Sequence, residues 1–164
     1  MLDAALEGEQ EEGENLFLTF LVDKDSFALA IDYVHEIVQL QPIVPVPQQQ
    51  AHMKGVMNLR GDIIPVIDLK YRLRGVETQT TDRACIIVTD VGGEHAGMLV
   101  DEVSEVVNIK QEDLLPVTET GKGLDNCVCA IARDGECVRM VLDCDAVLGQ
   151  GQHGMAETCL PLSH

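Results

Sequence analysis

An internal duplication constrains this chain more than any other feature. Asp32 and Glu36 in "IDYVHEIV" recur as Asp101 and Glu105 in "VDEVSEVV", and Pro47 recurs as Pro116, all at one constant offset. Farther on, "IIPVIDLKYRLRG" (63–75) matches "VRMVLDCDAVLG" (138–149) more loosely, because the loop before the second copy is longer. Each of these two segments reads as a strand, an aspartate placed to cap a short helix, and a glycine to end it. Self-similarity of this kind decides architecture before any local pattern does.

Short apolar runs separated by turn signals fill in the units. "LFLTFLV" (16–22) and "SFALAIDYV" (26–34) flank "DKD", and "ACIIVTDV" (84–91) and "HAGMLVDEV" (95–103) flank "GGE", which predicts one hairpin in each half. About five strands per half are too few to bury two faces of an open sheet. They suffice for a small closed barrel that removes most of its edges. The expected fold is therefore mostly β, with two similar five-stranded barrels packed together and short helices after the last strand of each. A groove between such lobes is a common binding location. Val34 with Val103, and Ile37 with Val106, fall just after the second strand of each half and are candidates to line it, a position the sequence alone does not fix. Residues 1–15 read as an acidic flexible tail, 16–149 as the domain and 150–164 as an irregular tail.

Charge and composition narrow the function. Eleven Lys and Arg against 28 Asp and Glu give a formal net charge of −17, which repels phosphate backbones and anionic lipid surfaces. With aromatics at 3% there is no stacking platform for bases, so no nucleic-acid partner is expected. The amino-terminal stretch lacks a basic segment followed by an apolar one, and no apolar run approaches the roughly 20 residues of a membrane helix. A cytoplasmic protein without direct membrane insertion is expected, its six cysteines held as thiols.

Enzyme signatures fall short. "HEIVQ" (35–39) begins like a zinc-protease helix but has Gln39 where the second histidine is required. "GGEHAG" lacks the lysine and hydroxyl residue of a phosphate loop, and there is no nucleophile elbow. Cys127 and Cys129, two apart, would share a strand face and could meet Cys137 across a hairpin, which leaves open a thiol- or metal-responsive protein. No two-residue-spaced cysteine pair supports zinc, so no cofactor or metal is expected, and no catalysis.

The most informative stretch is "KGVMNLRGDIIPVIDLKYRLRG" (54–75). Two strands apolar on both faces flank a turn given to Gly61 and Asp62, and Pro65 implies an edge or a bulge. Arg60 at that turn has two readings. As a solvated turn arginine its loss costs about 0–1 kcal/mol. It also reads as a guanidinium held by a carboxylate and facing a partner, where removal of one member costs about 3–5 kcal/mol if the pair is buried. Glu36 is the candidate carboxylate, and position 36 reads equally as a solvated strand or turn residue.

"VHEI", the 54–73 stretch and "HAGMLVDEVSEVV", in that order, resemble the bacterial chemotaxis coupling protein CheW family over roughly residues 15–149. The resemblance implies two five-stranded SH3-like barrels and a non-enzymatic adaptor. Such an adaptor bridges the cytoplasmic domain of methyl-accepting chemoreceptors to the regulatory domain of a CheA-type histidine kinase, at membrane-associated arrays. It implies receptor-facing positions at Val34, Glu36, Gly55 and Arg60 in the first half and at Gly97 and Val106 in the second, with Gly61 linked to kinase contact and coupling. Adaptors of related pathways, such as pilus-based motility, share the same motif. Where relatives tend to carry glycines before the last pair of strands, this chain has Ala130 and Ala132. Receiver, phosphotransfer and ATP-binding segments are not seen, which argues against a kinase or a receiver-bearing hybrid.

Overall fold

A computed structural model describes residues 15–47, 52–117 and 127–148. Apart from Asn15, the expected tails lie outside the described residues, as does Gly149.

Eleven strands are described: β1 (Leu16–Val22), β2 (Asp25–Ala30), β3 (Val34–Gln39), β4 (Met53–Leu59), β5 (Asp62–Asp68), β6 (Cys85–Val91), β7 (Glu94–Val100), β8 (Glu102–Asn108), β9 (Leu114–Pro116), β10 (Val128–Asp134) and β11 (Cys137–Leu142). Helix α1 (Leu69–Arg74) follows β5 and helix α2 (Cys144–Val147) follows β11. Both expected hairpins form, β1 with β2 and β6 with β7. Each second strand ends earlier than its apolar pattern: β2 stops at Ala30 before a 3-10 turn at Ile31–Tyr33, and β7 stops at Val100 before Asp101. Val34 and Val103, beyond these points, belong to the next strand, which runs in the other lobe.

The strands form two sheets, in the orders β3-β6-β7-β5-β4 and β8-β1-β2-β11-β10-β9. The first sheet is one contiguous piece of chain, a central lobe. The second gathers β1 and β2 with β8 to β11, a terminal lobe. The fold is thus two SH3-like subdomains as expected, but the lobes are not the two sequence halves. Each lobe joins the first two strands of one half to the later strands of the other, and the terminal sheet has six strands through the three-residue β9. The chain passes between lobes at two described crossovers, Ile31–Tyr33 and Asp101, where the repeat places Asp32 and Asp101. The duplication extends to a bulge. The β3–β6 register shifts between Val34 and Glu36, and the β1–β8 register shifts so that Phe20 faces Val103 while Thr19 faces Glu105.

Three apolar clusters hold the structure together. Met57, Leu59, Ile64, Val66, Ile86, Val88 and Leu99 fill the central lobe. Phe17, Ala28, Ile109, Leu114, Ala130, Ala132 and Val141 fill the terminal lobe. The third and largest takes Leu18, Phe20, Phe27 and Leu29 from the terminal lobe, Ile67, Ile87 and Met98 from the central lobe, and Leu69, Cys144 and Val147 from the helices. Because this shared core belongs to both lobes, neither can leave the other without exposing buried apolar surface at roughly 25 cal/mol per Å2. Both capping aspartates behave as the repeat predicts. Asp68 Oδ1 accepts from the Tyr71 amide at 3.3 Å, and Asp143 Oδ1 accepts from the amides of Asp145 and Ala146 at 3.1 and 3.5 Å. Arg72 of α1 then donates to the carbonyls of Ala146 and Val147 at 3.0 and 3.3 Å, tying the two helices together.

Two expectations about the β4–β5 hairpin change. Ile63 is 64% exposed, so β5 is not covered on both faces at its start. Pro65 lies in a strand flanked on both sides by β4 and β7, not in an edge strand. Its tolerance is local. Val56 opposite it exchanges backbone bonds with Val44, and β5 pairs with β7 only from Val66 onward, so no ladder bond is lost at the proline.

Candidate functional site

Arg60 and Gly61 are the two loop residues between β4 and β5, not Gly61 and Asp62. Their φ angles are 53° and 97°, the left-handed pair that a two-residue hairpin with a type I′ turn needs. Arg60 is therefore a non-glycine residue in a sparsely allowed conformation, of a kind that persists where its surroundings over-determine it. Asn58 supplies one such restraint, its Oδ1 accepting from the Gly61 amide at 2.8 Å. Asn58 stands one residue before Leu59, the first turn position, and its short amide side chain bonding the backbone ahead is a local signal that the sequence reading passed over.

Glu36 supplies the other restraint. It sits on β3 opposite Val88, an interior residue of the central lobe, and its carboxylate Oε2 accepts from Arg60 Nη2. Since β3 and β4 are the two edges of the central sheet, this ion pair spans the lobe's open seam. The Arg60 side chain remains 68% exposed and that of Glu36 26%. Both sequence readings of Arg60 are thus partly met. The arginine is held by the expected carboxylate, but at the surface, where such a pair contributes only about 0–1 kcal/mol to stability. The planar guanidinium has five donor hydrogens, and at this exposure those not used by Glu36 are open to solvent.

The apolar candidates lie nearby on the edge strands. Val34, Val103 and Val106 are half-buried against the shared core, with Thr89, Phe20 and Leu18 as their cross-strand partners. Ile37 is paired with Ile87 of the same core and is 42% exposed. β3 and β8 are the first strands of their respective sheets, so each lobe offers an edge strand with an apolar row beside the inter-lobe core. Tyr33, in the crossover before Val34, packs on the same core. Burial, followed by the nearby Asp145 and Cys144, pushes its phenol up to about 12 and keeps it neutral.

Two glycines expected to face a receptor do not reach the surface. Gly55 is buried at φ 149°, and a Cβ there would lie 2.2 Å from the Val44 carbonyl oxygen. Gly97 is buried in β7 between β6 and β5, and a Cβ there would lie 2.7 Å from Ile86 Cγ2. Both are needed for close packing inside the central lobe. Gly61 is exposed, with open space around it.

The cysteines do not converge. The β10 register shifts between Val128 and Ala130, so Cys127 joins the shared core while Cys129 joins the terminal-lobe core. Cys137 is exposed. Burial, with Asp145 adding, pushes the Cys144 thiol up to about 12, and burial also raises that of Cys85, which keeps both from thiolate chemistry. Among the described residues, the one group of three or more His, Cys, Asp or Glu ligand atoms close enough to share an ion contains no cysteine. No described helix is long and apolar enough to cross a membrane.

Residues 16–152 match the CheW-like domain family. The chain is 34% identical over 114 residues to the probable chemotaxis protein CheW of Rhizobium etli, covering 70% of this chain and 74% of the relative. It is 28% identical over 107 residues to Protein FrzA of Myxococcus xanthus, covering 65% and 67%. The crystal structure of scaffolding protein TtCheW from Thermoanaerobacter tengcongensis superposes with a TM-score of 0.72 at 30% identity, over 79% of this chain and 88% of that one.

Proposed function

The chain belongs to the CheW-like family, and on that premise we propose that it is a non-enzymatic cytoplasmic adaptor that couples chemoreceptor cytoplasmic tips to a CheA-type histidine kinase in a signalling array. The observation that carries the reading is the Glu36–Arg60 pair. A strained turn residue at the surface is held by a carboxylate from the opposite sheet edge, an arrangement that adds little to stability and fixes a charge for a partner. Arg60 and Glu36 present the polar part of the receptor surface, and Val34, Ile37 and Val106 present the apolar part. Gly61, exposed at the apex, belongs to the kinase-coupling contact. Gly55 and Gly97 act behind this surface by letting the central lobe pack.

Interfaces in an exchanging array are expected near or below about 1,600 Å2 of buried surface, with modest pairwise affinity. The test is co-sedimentation of the protein with receptor-containing membranes and the histidine kinase of its own organism. Wild type is expected to sediment, and Arg60→Ala and Glu36→Ala to lose receptor contact while remaining folded. Unaltered sedimentation of both variants would remove the pair from the receptor surface. Failure of wild type to join either partner would end the coupling role. The likeness to FrzA supports a second reading, an adaptor of a related chemosensory pathway, which sedimentation with that pathway's receptor alone would favour.

A further inference from the structure

The central lobe carries a side-chain cluster that the adaptor role does not use. His35 is the extra residue of the β3 bulge, between Val34 opposite Thr89 and Glu36 opposite Val88. Bulges re-aim side chains, and this one turns His35 onto the end of the β6–β7 hairpin. There its ring stacks on His95, with centroids 4.2 Å apart and planes 27° from parallel. His95 lies directly across the hairpin from Asp90, with Nε2 3.7 Å from Asp90 Oδ2. The other carboxylate oxygen, Oδ1, accepts from the Gly93 amide at 3.1 Å, which fixes the aspartate and leaves Oδ2 facing the imidazoles.

One ligand atom from each of His35, Asp90 and His95 lies within 4.8 Å of the others. Zinc-type bonds of about 2.0–2.2 Å in a tetrahedron set ligand atoms roughly 3.4 Å apart. Coordination requires the two stacked rings to turn until their in-plane nitrogen lone pairs converge, and the ligand atoms to close by up to about 1.4 Å, a side-chain rotation open to partly exposed residues. We propose that His35, Asp90 and His95 form a surface site for a divalent transition-metal ion of the zinc, cobalt or nickel kind. Imidazole nitrogens suit these ions, whereas calcium and magnesium call for oxygen ligands. Hydrogen bonding of a ligating carboxylate, as Gly93 does for Asp90, is the usual outer support of such sites. The fourth position is left to water, because Glu36 Oε2, 3.7 Å from His35 Nε2, is already held by Arg60.

The duplication supplies an internal control. The equivalent positions of the terminal lobe are Ser104 in its bulge and Leu21 and Ser26 in its hairpin, so the scaffold itself does not require metal-ligating residues there.

The test is titration of the full, reduced chain with Co2+, followed by its visible spectrum. Expected are one equivalent of Co2+, no thiolate charge-transfer band, and at least about tenfold weaker binding in His35→Ala and in His95→Ala. Ser104→Ala should bind as wild type does. Because Co2+ broadens nearby proton resonances, the wild-type histidine NMR signals give a readout that needs no variant. Those of His35 and His95 should disappear first, ahead of His52, His153 and His164. A thiolate band, affinity unchanged in both histidine variants, or no binding up to millimolar Co2+ would each overturn the site.

Discussion

The central and terminal lobes are built from the same repeat, yet they finish their open seams differently. In the central lobe Glu36 of β3 reaches Arg60 at the apex of the β4–β5 turn. In the terminal lobe the matching Glu105 of β8 has its side chain exposed, and the β10–β11 turn places Gly135 where Arg60 would stand. That bulge is pinned instead by the buried Thr19, whose hydroxyl donates to the Glu105 carbonyl at 2.8 Å and accepts from its amide at 3.2 Å. The terminal arginines are engaged elsewhere, Arg133 with Asp113 and Arg139 with Asp134 and Ser26. Duplication thus reproduced the frame, the bulges and the helix caps. The charged surface pair was placed on one copy only.

The comparison breaks hardest at the fourth strands. In the central lobe the chain crosses β4 by a single bridge at Val44, so close that Gly55 has no room for a side chain. In the terminal lobe β9 makes three regular pairs with β10, and Ala130, opposite Pro116, is accommodated. Gly55→Ala should therefore destabilise by about 3 kcal/mol, from backbone overlap and an unfavourable φ. Ala130→Gly should cost only about 1 kcal/mol. Equal losses in urea denaturation would mean that the two crossings are alike after all.

A smaller contrast separates the caps. Asp68 is 3% exposed and also accepts from the Thr78 amide at 2.9 Å and the Thr78 hydroxyl at 2.6 Å, so it fastens the loop after α1 as well as the helix. Asp68→Ala strands those buried donors and should cost about 2–3 kcal/mol. Asp143→Ala loses a helix cap alone and should cost about 1 kcal/mol. The denaturation midpoints of the two variants should differ in that order, and a reversal would assign the main anchoring role to α2.

The surface pair sharpens the comparison through binding rather than stability. Glu36→Ala should weaken receptor co-sedimentation about tenfold or more, and Glu105→Ala should leave it unchanged, with both within about 1 kcal/mol of wild type in stability. Equal effects on sedimentation would show that both lobes contribute a charged seam.

How far these contrasts were readable in advance depended on the kind of information. The offset linking Asp32 and Glu36 to Asp101 and Glu105 disclosed the duplication, and Asp68 and Asp143 announced the caps. The exchange of strands between lobes was hidden, because a repeat specifies equivalent strands without saying which copy each one pairs with. Both pairings bury the same faces. The pattern of Cys127 and Cys129 misled because one bulge residue reverses the alternation on which a shared face depends. Gly55 and Gly97 entered only as receptor-facing positions implied by the resemblance, and a glycine in a sequence does not say whether it serves a partner or the packing of the chain itself. His35 looked like half of a helical zinc motif. Its neighbour His95 is brought in by strand pairing that no short spacing encodes.

The smallest expected effect concerns Asp143. Burial raises its carboxyl above the ordinary 3.8, opposed by the Ala146 and Asp145 amides and aided by the charge of Asp145. A carboxyl raised on folding contributes stability below its unfolded value and loses that contribution as the pH rises through its folded value. At neutral pH the charged Asp143 therefore caps α2 at a desolvation cost. Asparagine caps about as well without carrying the charge. Asp143→Asn should accordingly be as stable as wild type at neutral pH, or more stable by less than about 1 kcal/mol. Its advantage should shrink as the solution is acidified toward pH 3.8. Denaturant midpoints of both proteins across that range give the difference directly. A variant that gains on wild type as the pH falls would mean that the cap depends on the charge of Asp143, and that burial is not what governs this end of the terminal lobe.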